Sequence, residues 1–358
     1  MKHTEAMKLG NRILIRGTNW IGDSVMSLAA LREVRRLFPH HHLTLLVRDW
    51  VAELFKNQGL VDVILPLEEP SSRLRPFFRL VGQVRHFDSA LLFQNAFQAA
   101  LMTRLAGIPE RIGYNTDGRA LLLTRRARPQ IKKLNRHQIY YYLDLLYQTG
   151  LSPQDYLNDP DFKPDIHLSP TKEGIQEAER LLRAADVSGQ GPIILINPGA
   201  FYGSAKRWFT NRYAALADRL IEEDQAQIVI IGSAGEQTIA QEIQSLAKQQ
   251  LTILTGQTNL PTLIGLLSRC NLLLTNDSGP MHLAAALDTP QIAILGSTDE
   301  VATGPWSPRA QVIHKHVECS PCLLRECPID LRCFSRIEVE EVYETARAVL
   351  YNGHFSGS

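Results

Sequence analysis

The chain has 358 residues, 44% hydrophobic and 21% charged, with a formal net charge of +1, a composition that fits a globular protein with room for two domains. Charge is uneven, because residues 71–140 hold 13 Lys or Arg against 3 acidic residues (Asp88, Glu110 and Asp117), and such a local excess points to an anionic partner or a membrane surface. No apolar run approaches the length of a membrane-spanning helix, and the N-terminus, Met-Lys-His-Thr-Glu-Ala-Met-Lys, lacks the apolar core of a signal peptide, so the expected location is the cytoplasm.

The first half opens with a strand at 12–16 and a loop, Gly17-Thr-Asn-Trp-Ile-Gly-Asp23. A helix is expected from Ser24 to about Phe38, before Pro39. Strands follow at 43–47, 61–65 and 89–93, interleaved with helical patterns at 52–57, 73–86, 95–106 and 134–149. Strands alternating with helices predict a parallel sheet covered on both faces. Asp23 stands at the C-terminal edge of the first strand, where open sheets place their clefts. It either caps the next helix, in competition with Ser24, or serves as a general base, with Gly17 and Gly22 permitting close approach of a substrate.

Residues 151–170 carry Pro153, Pro160, Pro164 and Pro170 among Asp and Asn, which reads as a linker. It closes an N-terminal domain, 1–170. Helix 171–185 starts a second domain, 171–335, with strands at 192–196, 227–231, 251–254, 271–275 and 290–295 and helices at 210–223, 236–249, 260–268 and 280–287. Residues 336–358 form a last helix (338–350) and tail. The fold class is thus α/β, two doubly wound parallel-sheet domains facing across a cleft.

Three turns in the second half carry chemistry. In 271–287 an apolar strand runs into Asn276-Asp277-Ser278-Gly279, and Pro280 opens a helix rich in Ala and Leu. Pro suits a first helical position, and free N–H groups at a helix start attract phosphate. Asp277 and His282 beside that seat can bond hydroxyls, which suggests a nucleotide-sugar, while Asp277 or Ser278 as a plain helix cap is the alternative. Asp277 repels a phosphate, so sugar hydroxyls or capping suit it better. The loop 197–210 brings Lys206 as a point charge for a diphosphate, or as a solvated surface lysine, and ends in Thr210 as an N-cap. Glu236 either accepts bonds from a ribose or favours the first turn of its helix.

Cys319, Cys322, Cys327 and Cys333 follow a C-x2-C-x4-C-x5-C spacing. Clustered thiols in a reducing compartment suggest structural zinc or iron, or simply reduced thiols. Cys270 reads as core. Neither a G-x-G-x-x-G nor a P-loop sequence is present. The basic cluster Arg125, Arg126, Arg128, Lys132, Lys133 and Arg136 is not interleaved with aromatics, which argues against nucleic acid.

Taken together, GTNWIGD (17–23), LAGIPERIGY (105–114), NPGAFYGSAKRW (197–208), IIGSAGE (230–236) and TNDSGPMHLAAAL (275–287) resemble the lipopolysaccharide heptosyltransferases, glycosyltransferase family 9. The resemblance spans nearly the whole chain to about residue 310, and the Trp20-Ile-Gly-Asp23 form looks like the family's second type. It implies a GT-B fold of two Rossmann-like domains, acceptor in the first and ADP-heptose in the second, with inversion and no metal or other cofactor required for catalysis. Asp23 would then be the base, and Lys206 would bind diphosphate. Glu236 would lie near the ribose; Asp277, Ser278, Gly279 and His282 would hold diphosphate and heptose, and Ser204 and Met281 join that donor set. Thr18, Asn19, Asn95, Arg125 and Arg126 form the acceptor set. The implied partners are ADP-heptose and the heptosyl-Kdo-lipid A acceptor, met peripherally at the inner leaflet of the inner membrane. The alternative readings are a family-9 glycosyltransferase using a different nucleotide-sugar or acceptor, an NAD-dependent oxidoreductase, and a noncatalytic, metal-stapled binding protein.

Overall fold

The computed structural model describes residues 9–67, 74–131, 133–187 and 190–352. The chain divides into two compact units, Met1–Ile166 and His167–Ser358.

The first unit is built on a six-stranded parallel sheet: β1 (Arg12–Arg16), β2 (His42–Arg48), β3 (Val63–Leu67), β4 (Ser89–Leu92), β5 (Glu110–Tyr114) and β6 (Arg125–Ala127), in the order β3-β2-β1-β4-β5-β6. β1 and β4 are buried almost end to end, as expected for parallel strands with helices on both faces. The second unit repeats the plan with β7 (Ile193–Asn197), β8 (Gln227–Ile230), β9 (Thr252–Ile253), β10 (Leu272–Asn276), β11 (Gln291–Leu295) and β12 (Ala310–His314), in the order β12-β11-β10-β7-β8-β9. Its core joins sheet residues such as Ile194, Ile230, Leu274 and Ile292 to Trp208, Tyr213, Phe334 and Tyr343. Each sheet is therefore the doubly wound Rossmann-like arrangement that the alternating pattern predicts.

Strand order fixes where ligands bind. Chain direction across the sheet reverses between β1 and β4 in the first unit and between β7 and β10 in the second, and loops leaving those two strands diverge to open a crevice. Asp23 follows β1 and Asn95 follows β4. Lys206 follows β7 and Asp277 follows β10.

Several elements differ from the sequence reading. β5, β6 and β12 are strands that carry no apolar run; Glu110, Arg111, Arg125 and Arg126 make up much of β5 and β6. The helix expected from Ser24 is two helices, Ile21–Met26 and Leu28–Leu37, separated at Ser27, whose hydroxyl donates to the Ser24 carbonyl (2.8 Å). Trp20 takes the N-cap position, which places Asp23 inside the first turn rather than at the cap. Helix Thr210–Asp224 has Phe209 at its N-cap, and the Thr210 hydroxyl instead donates to Glu242 (2.8 Å). Residues 151–170 hold no helix or strand, yet Tyr156 is fully buried, with its hydroxyl 3.0 Å from Glu33 and 2.8 Å from Ser152. Prolines remove regular structure there without removing packing. Among the described residues no helix is long and apolar enough to cross a membrane.

Candidate functional site

In the first unit, β1 ends on a buried arginine. The Arg16 guanidinium donates to the carbonyls of Gly17 (2.5 Å) and Leu46 (3.2 Å) and to Asn19 Oδ1 (2.7 Å). Burial, helped by Arg48, pulls it down to about 9. The Asn19 carbonyl accepts from the Trp50 indole (3.1 Å), and Thr18 and Ser24 share a hydrogen bond (2.7 Å). These contacts hold the 17–23 loop in one shape. Gly17 serves that packing: a Cβ there would meet Val47 Cγ1 at 2.5 Å, so its small size accommodates β2.

Two adjacent tyrosines of helix Ile139–Gln148 reach the two post-strand residues. The Tyr142 hydroxyl donates to Asp23 Oδ1 (3.4 Å). Burial, reinforced by the Asp23 charge, holds that phenol far above its ordinary range, so Tyr142 stays a donor to a carboxylate. The neighbouring Tyr141 hydroxyl accepts from the Asn95 amide. Asn95 Oδ1 in turn accepts from Arg119 (2.7 Å), a fully buried side chain that also donates to the carbonyls of Tyr114 (2.8 Å) and Gln94. Arg119, Tyr141 and Tyr142 were not singled out from sequence. The run Tyr140-Tyr141-Tyr142 was the one local signal for the two tyrosines, since consecutive aromatics place a phenol on both flanks of a helix.

Not all of the basic cluster is free surface. Arg125 pairs with Glu110 (3.0 Å) and Arg136 donates to the Leu157 carbonyl (2.9 Å). Arg126, Arg128 and Lys133 are exposed. Lys132 lies outside the described residues.

In the second unit, helix Gly279–Ala286 starts at Ser278 with no side chain capping its first-turn N–H groups. The Ser278 hydroxyl is turned aside, accepting from Asn197 Nδ2 (2.9 Å) and paired with Thr275 (3.1 Å). The capping reading of Ser278 therefore does not hold, and the helix start keeps its donors for another acceptor. Asp277 does not cap either: its Oδ2 lies 2.7 Å from Lys206 Nζ, both side chains being largely buried. Lys206 is thus no solvated surface lysine. It also sits 4.9 Å from the centre of the Tyr202 ring, which Arg325 approaches from 5.1 Å.

The 197–208 loop is tied down on both sides. Asn276, fully buried, accepts from the Trp208 N–H (3.1 Å) and the Tyr213 hydroxyl (2.9 Å) and donates to the Pro198 carbonyl (2.7 Å). Across the loop, a Cβ on Gly203 would meet the Arg325 carbonyl at 2.1 Å, where Ala205 N–H donates (3.0 Å). Ser204 sits exposed in the short turn Ser204–Lys206. Met281 is fully buried against Ala293 and Leu295, so its side chain faces core and only its backbone belongs to the helix start. His282 is buried in the same turn.

Glu236 closes a capping box, Oε2 accepting from the Ser233 N–H (2.7 Å) and hydroxyl (2.8 Å). Its other oxygen lies over Gly199, where a Cβ would meet it at 1.7 Å.

Cys319 and Cys322 lie near enough to Cys333 to act on its thiol, but the cysteines form no compact ligand set among the described residues. Cys319 is exposed, Cys322 and Cys327 are half-buried and Cys333 is buried, all unpaired. Among the described residues no three of their sulfurs fall within 4.8 Å of one another, so the expected structural metal has no matching thiolate cage. Cys333 packs into the core with Phe334, and burial pushes its thiol up to about 11. Cys270 is buried as expected, although it ends helix Leu260–Arg269 and is not part of a strand.

The sequence profile of glycosyltransferase family 9 (heptosyltransferase) matches residues 77–332. Lipopolysaccharide heptosyltransferase 2 of Salmonella typhimurium is 32% identical over 84% of this chain and 87% of its own length. Lipooligosaccharide heptosyltransferase 2 of Haemophilus influenzae is 30% identical over 84% and 88%. Among solved structures, E. coli ADP-heptose LPS heptosyltransferase II superposes with a TM-score of 0.80 at 28% identity, covering 96% of this chain and 99% of that one.

Proposed function

The chain belongs to glycosyltransferase family 9, and from that premise we propose that it moves L-glycero-D-manno-heptose from ADP-heptose to the heptosyl-Kdo-lipid A inner core of lipopolysaccharide, with inversion. One observation carries the donor half of this reading: an uncapped helix start at Ser278 beside a lysine held by Asp277, at the strand-order reversal of the second sheet.

In this reading residues 171–335 bind the donor and residues 1–170 the acceptor. Asp23 accepts the proton of the acceptor hydroxyl as that oxygen forms its bond to the anomeric carbon. The bond from that carbon to the diphosphate breaks, and its electron pair leaves with ADP. A positioned base supplies roughly 10²–10⁴ in rate. Lys206 and the amides at the start of helix Gly279–Ala286 stabilise the charge that grows on the leaving diphosphate. No step requires a cofactor. Asp277 aims Lys206, leaving His282 and Ser278 to meet the sugar and diphosphate, while Glu236 Oε1 is the atom offered to the ribose.

Asn19, Thr18 and Asn95 would order the acceptor sugar. Exposed Arg126 and the neighbouring Arg128 and Lys133 would face Kdo carboxylates, core phosphates and the anionic inner leaflet.

The deciding experiment incubates the purified chain with ADP-heptose and heptosyl-Kdo-lipid A. The expected result is ADP release matched by a mass gain of one heptose on the acceptor. No transfer to that acceptor, with transfer from another nucleotide-sugar, refutes this substrate assignment.

A further inference from the structure

Outside both strand-order reversals, the second unit gathers a carboxylate and two imidazoles from separate elements. Glu300 opens the short helix Glu300–Thr303, whose backbone Asp299 fixes by accepting from the N–H groups of Val301 (2.9 Å) and Ala302 (3.3 Å). His314 ends β12 and His316 follows it. One Glu300 oxygen lies 2.9 Å from His314 Nδ1 and the other 3.4 Å from His316 Nε2, and one ligand atom from each residue falls within 4.8 Å of the others. The two rings lie 4.5 Å apart.

Hydrogen bonds fix the orientation of the His314 ring. Its Nε2 faces the Gly296 carbonyl (3.2 Å) and Ser320 Oγ (2.9 Å), and that hydroxyl donates its own proton to the same carbonyl (2.6 Å). Both partners can accept from a ring N–H, so they hold Nε2 on that side and leave Nδ1 facing the Glu300 carboxylate. The other Glu300 oxygen faces His316 Nε2, so donors from three separate stretches of chain converge within 4.8 Å of one another.

We propose that Glu300, His314 and His316 form a binding site for a divalent transition-metal ion of the zinc class. Nitrogen and carboxylate donors suit that class. Bonds of about 2.0–2.1 Å in tetrahedral geometry hold ligand atoms roughly 3.3 Å apart; one donor atom from each of the three residues lies within 4.8 Å of the others, a spacing that small side-chain rotations bring to that value. Ser320 and Gly296 act as the outer contacts that fix the ring and its tautomer, as partners of metal-bound histidines do. Three protein ligands leave the fourth position to water. The ion would staple helix Glu300–Thr303 to the end of β12. The cysteines are not part of it, and the proposal is independent of the sugar-transfer reading.

The test strips the full chain with a chelator, dialyses it against zinc or cobalt chloride and counts bound metal. His316 is 72% exposed, so His316→Ala folds normally. It is expected to hold one equivalent less than the wild type, as is Glu300→Gln, whereas Cys319→Ser/Cys322→Ser keeps that equivalent. The cobalt form should show visible bands for that ion without thiolate charge transfer in the near ultraviolet. Equal metal content in wild type, His316→Ala and Glu300→Gln, no metal in any of them, or loss of the equivalent in the cysteine variant overturns the proposal.

Discussion

Lys206 and Asp277 are 71 residues apart in the chain and 2.7 Å apart in space, and neither is well exposed. In the proposed function the pair lets a carboxylate stand beside the diphosphate seat, because its charge is spent on orienting the lysine. Lys206→Ala is expected to weaken ADP binding roughly 10–100-fold by calorimetry, about 1.4 kcal/mol per tenfold. It should also destabilise the fold by about 1–3 kcal/mol, because Asp277 is left buried without its charged partner. Lys206→Ala/Asp277→Asn should recover much of that stability in chemical denaturation without recovering ADP affinity. Full additivity of the two single variants would show that the pair is not coupled.

Asp23→Asn keeps the shape of the side chain and removes its ability to take a proton. Its kcat should fall about 10²–10⁴-fold while ADP affinity is unchanged. Tyr142→Phe removes the hydroxyl donated to Asp23 but leaves the carboxylate, so a smaller fall, about 3–10-fold, is expected from a net hydrogen bond of about 1 kcal/mol. Steady-state kinetics on both variants checks the order. Full turnover in Asp23→Asn removes Asp23 as the base.

The sequence made the two sheets legible through β1, β2, β4, β7, β10 and β11, whose apolar residues announce buried strands. β5 and β6, the last two strands on one side of the sheet, were hidden because short strands there can be made of Glu, Arg and Gly, and their pairing rather than their composition defines them. The candidate site was legible where one turn carries several polar groups, as at Asn276-Asp277-Ser278-Gly279. It was not legible where a partner arrives from far away. Nothing near Asp277 predicts Lys206, nothing near Asn95 predicts Arg119, and nothing near Asp23 predicts Tyr142. Capping was the other weakness: Ser, Thr and Asp next to a helix start suggest caps at Asp23, Thr210 and Ser278, yet Trp20, Phe209 and an uncapped Ser278 occupy those positions.

Ser233 and Glu236 separate capping from ligand binding. Ser233→Ala breaks half the capping box and should cost about 1 kcal/mol of stability with no change in ADP affinity. Glu236→Ala breaks the box and removes the oxygen over Gly199, so it should lower stability by a similar amount and weaken ADP binding as well. Thermal melts with and without ADP distinguish the two. Identical ligand-induced shifts in both variants would leave Glu236 a cap alone.

Alkaline pH should unfold this protein through its buried acids. Burial pushes the Cys270 thiol up to about 12 and the Cys333 thiol up to about 11 from an ordinary 9.0, and pushes Tyr141 and Tyr156 up to about 12 from 10.0. Each group is held protonated in the fold and ionises first in the unfolded chain. Their contribution is therefore complete below pH 9 and is lost as pH rises through 11–12. Tm should be flat from pH 7 to 8.5 and fall steadily above 9. Cys270→Ala should shift the onset upward; a wild-type Tm unchanged at pH 11 contradicts the mechanism.

Arg119 offers the sharpest contrast between structure and chemistry in the first unit. It is buried without exposure and its guanidinium fork satisfies two carbonyls and Asn95 Oδ1 at once. Lysine cannot reproduce that fork. Arg119→Lys should therefore cost about 1–3 kcal/mol through unsatisfied buried acceptors, and it should release Asn95 from the orientation in which its amide meets Tyr141. If Asn95 orders the acceptor, KM for the acceptor rises several-fold in Arg119→Lys and in Asn95→Ala, while ADP affinity, which the proposed function assigns to the second unit, stays constant. Acceptor-saturation curves measured below the variant's Tm separate this from simple unfolding. A lowered kcat with unaltered acceptor KM in both variants would assign Arg119 to stability only.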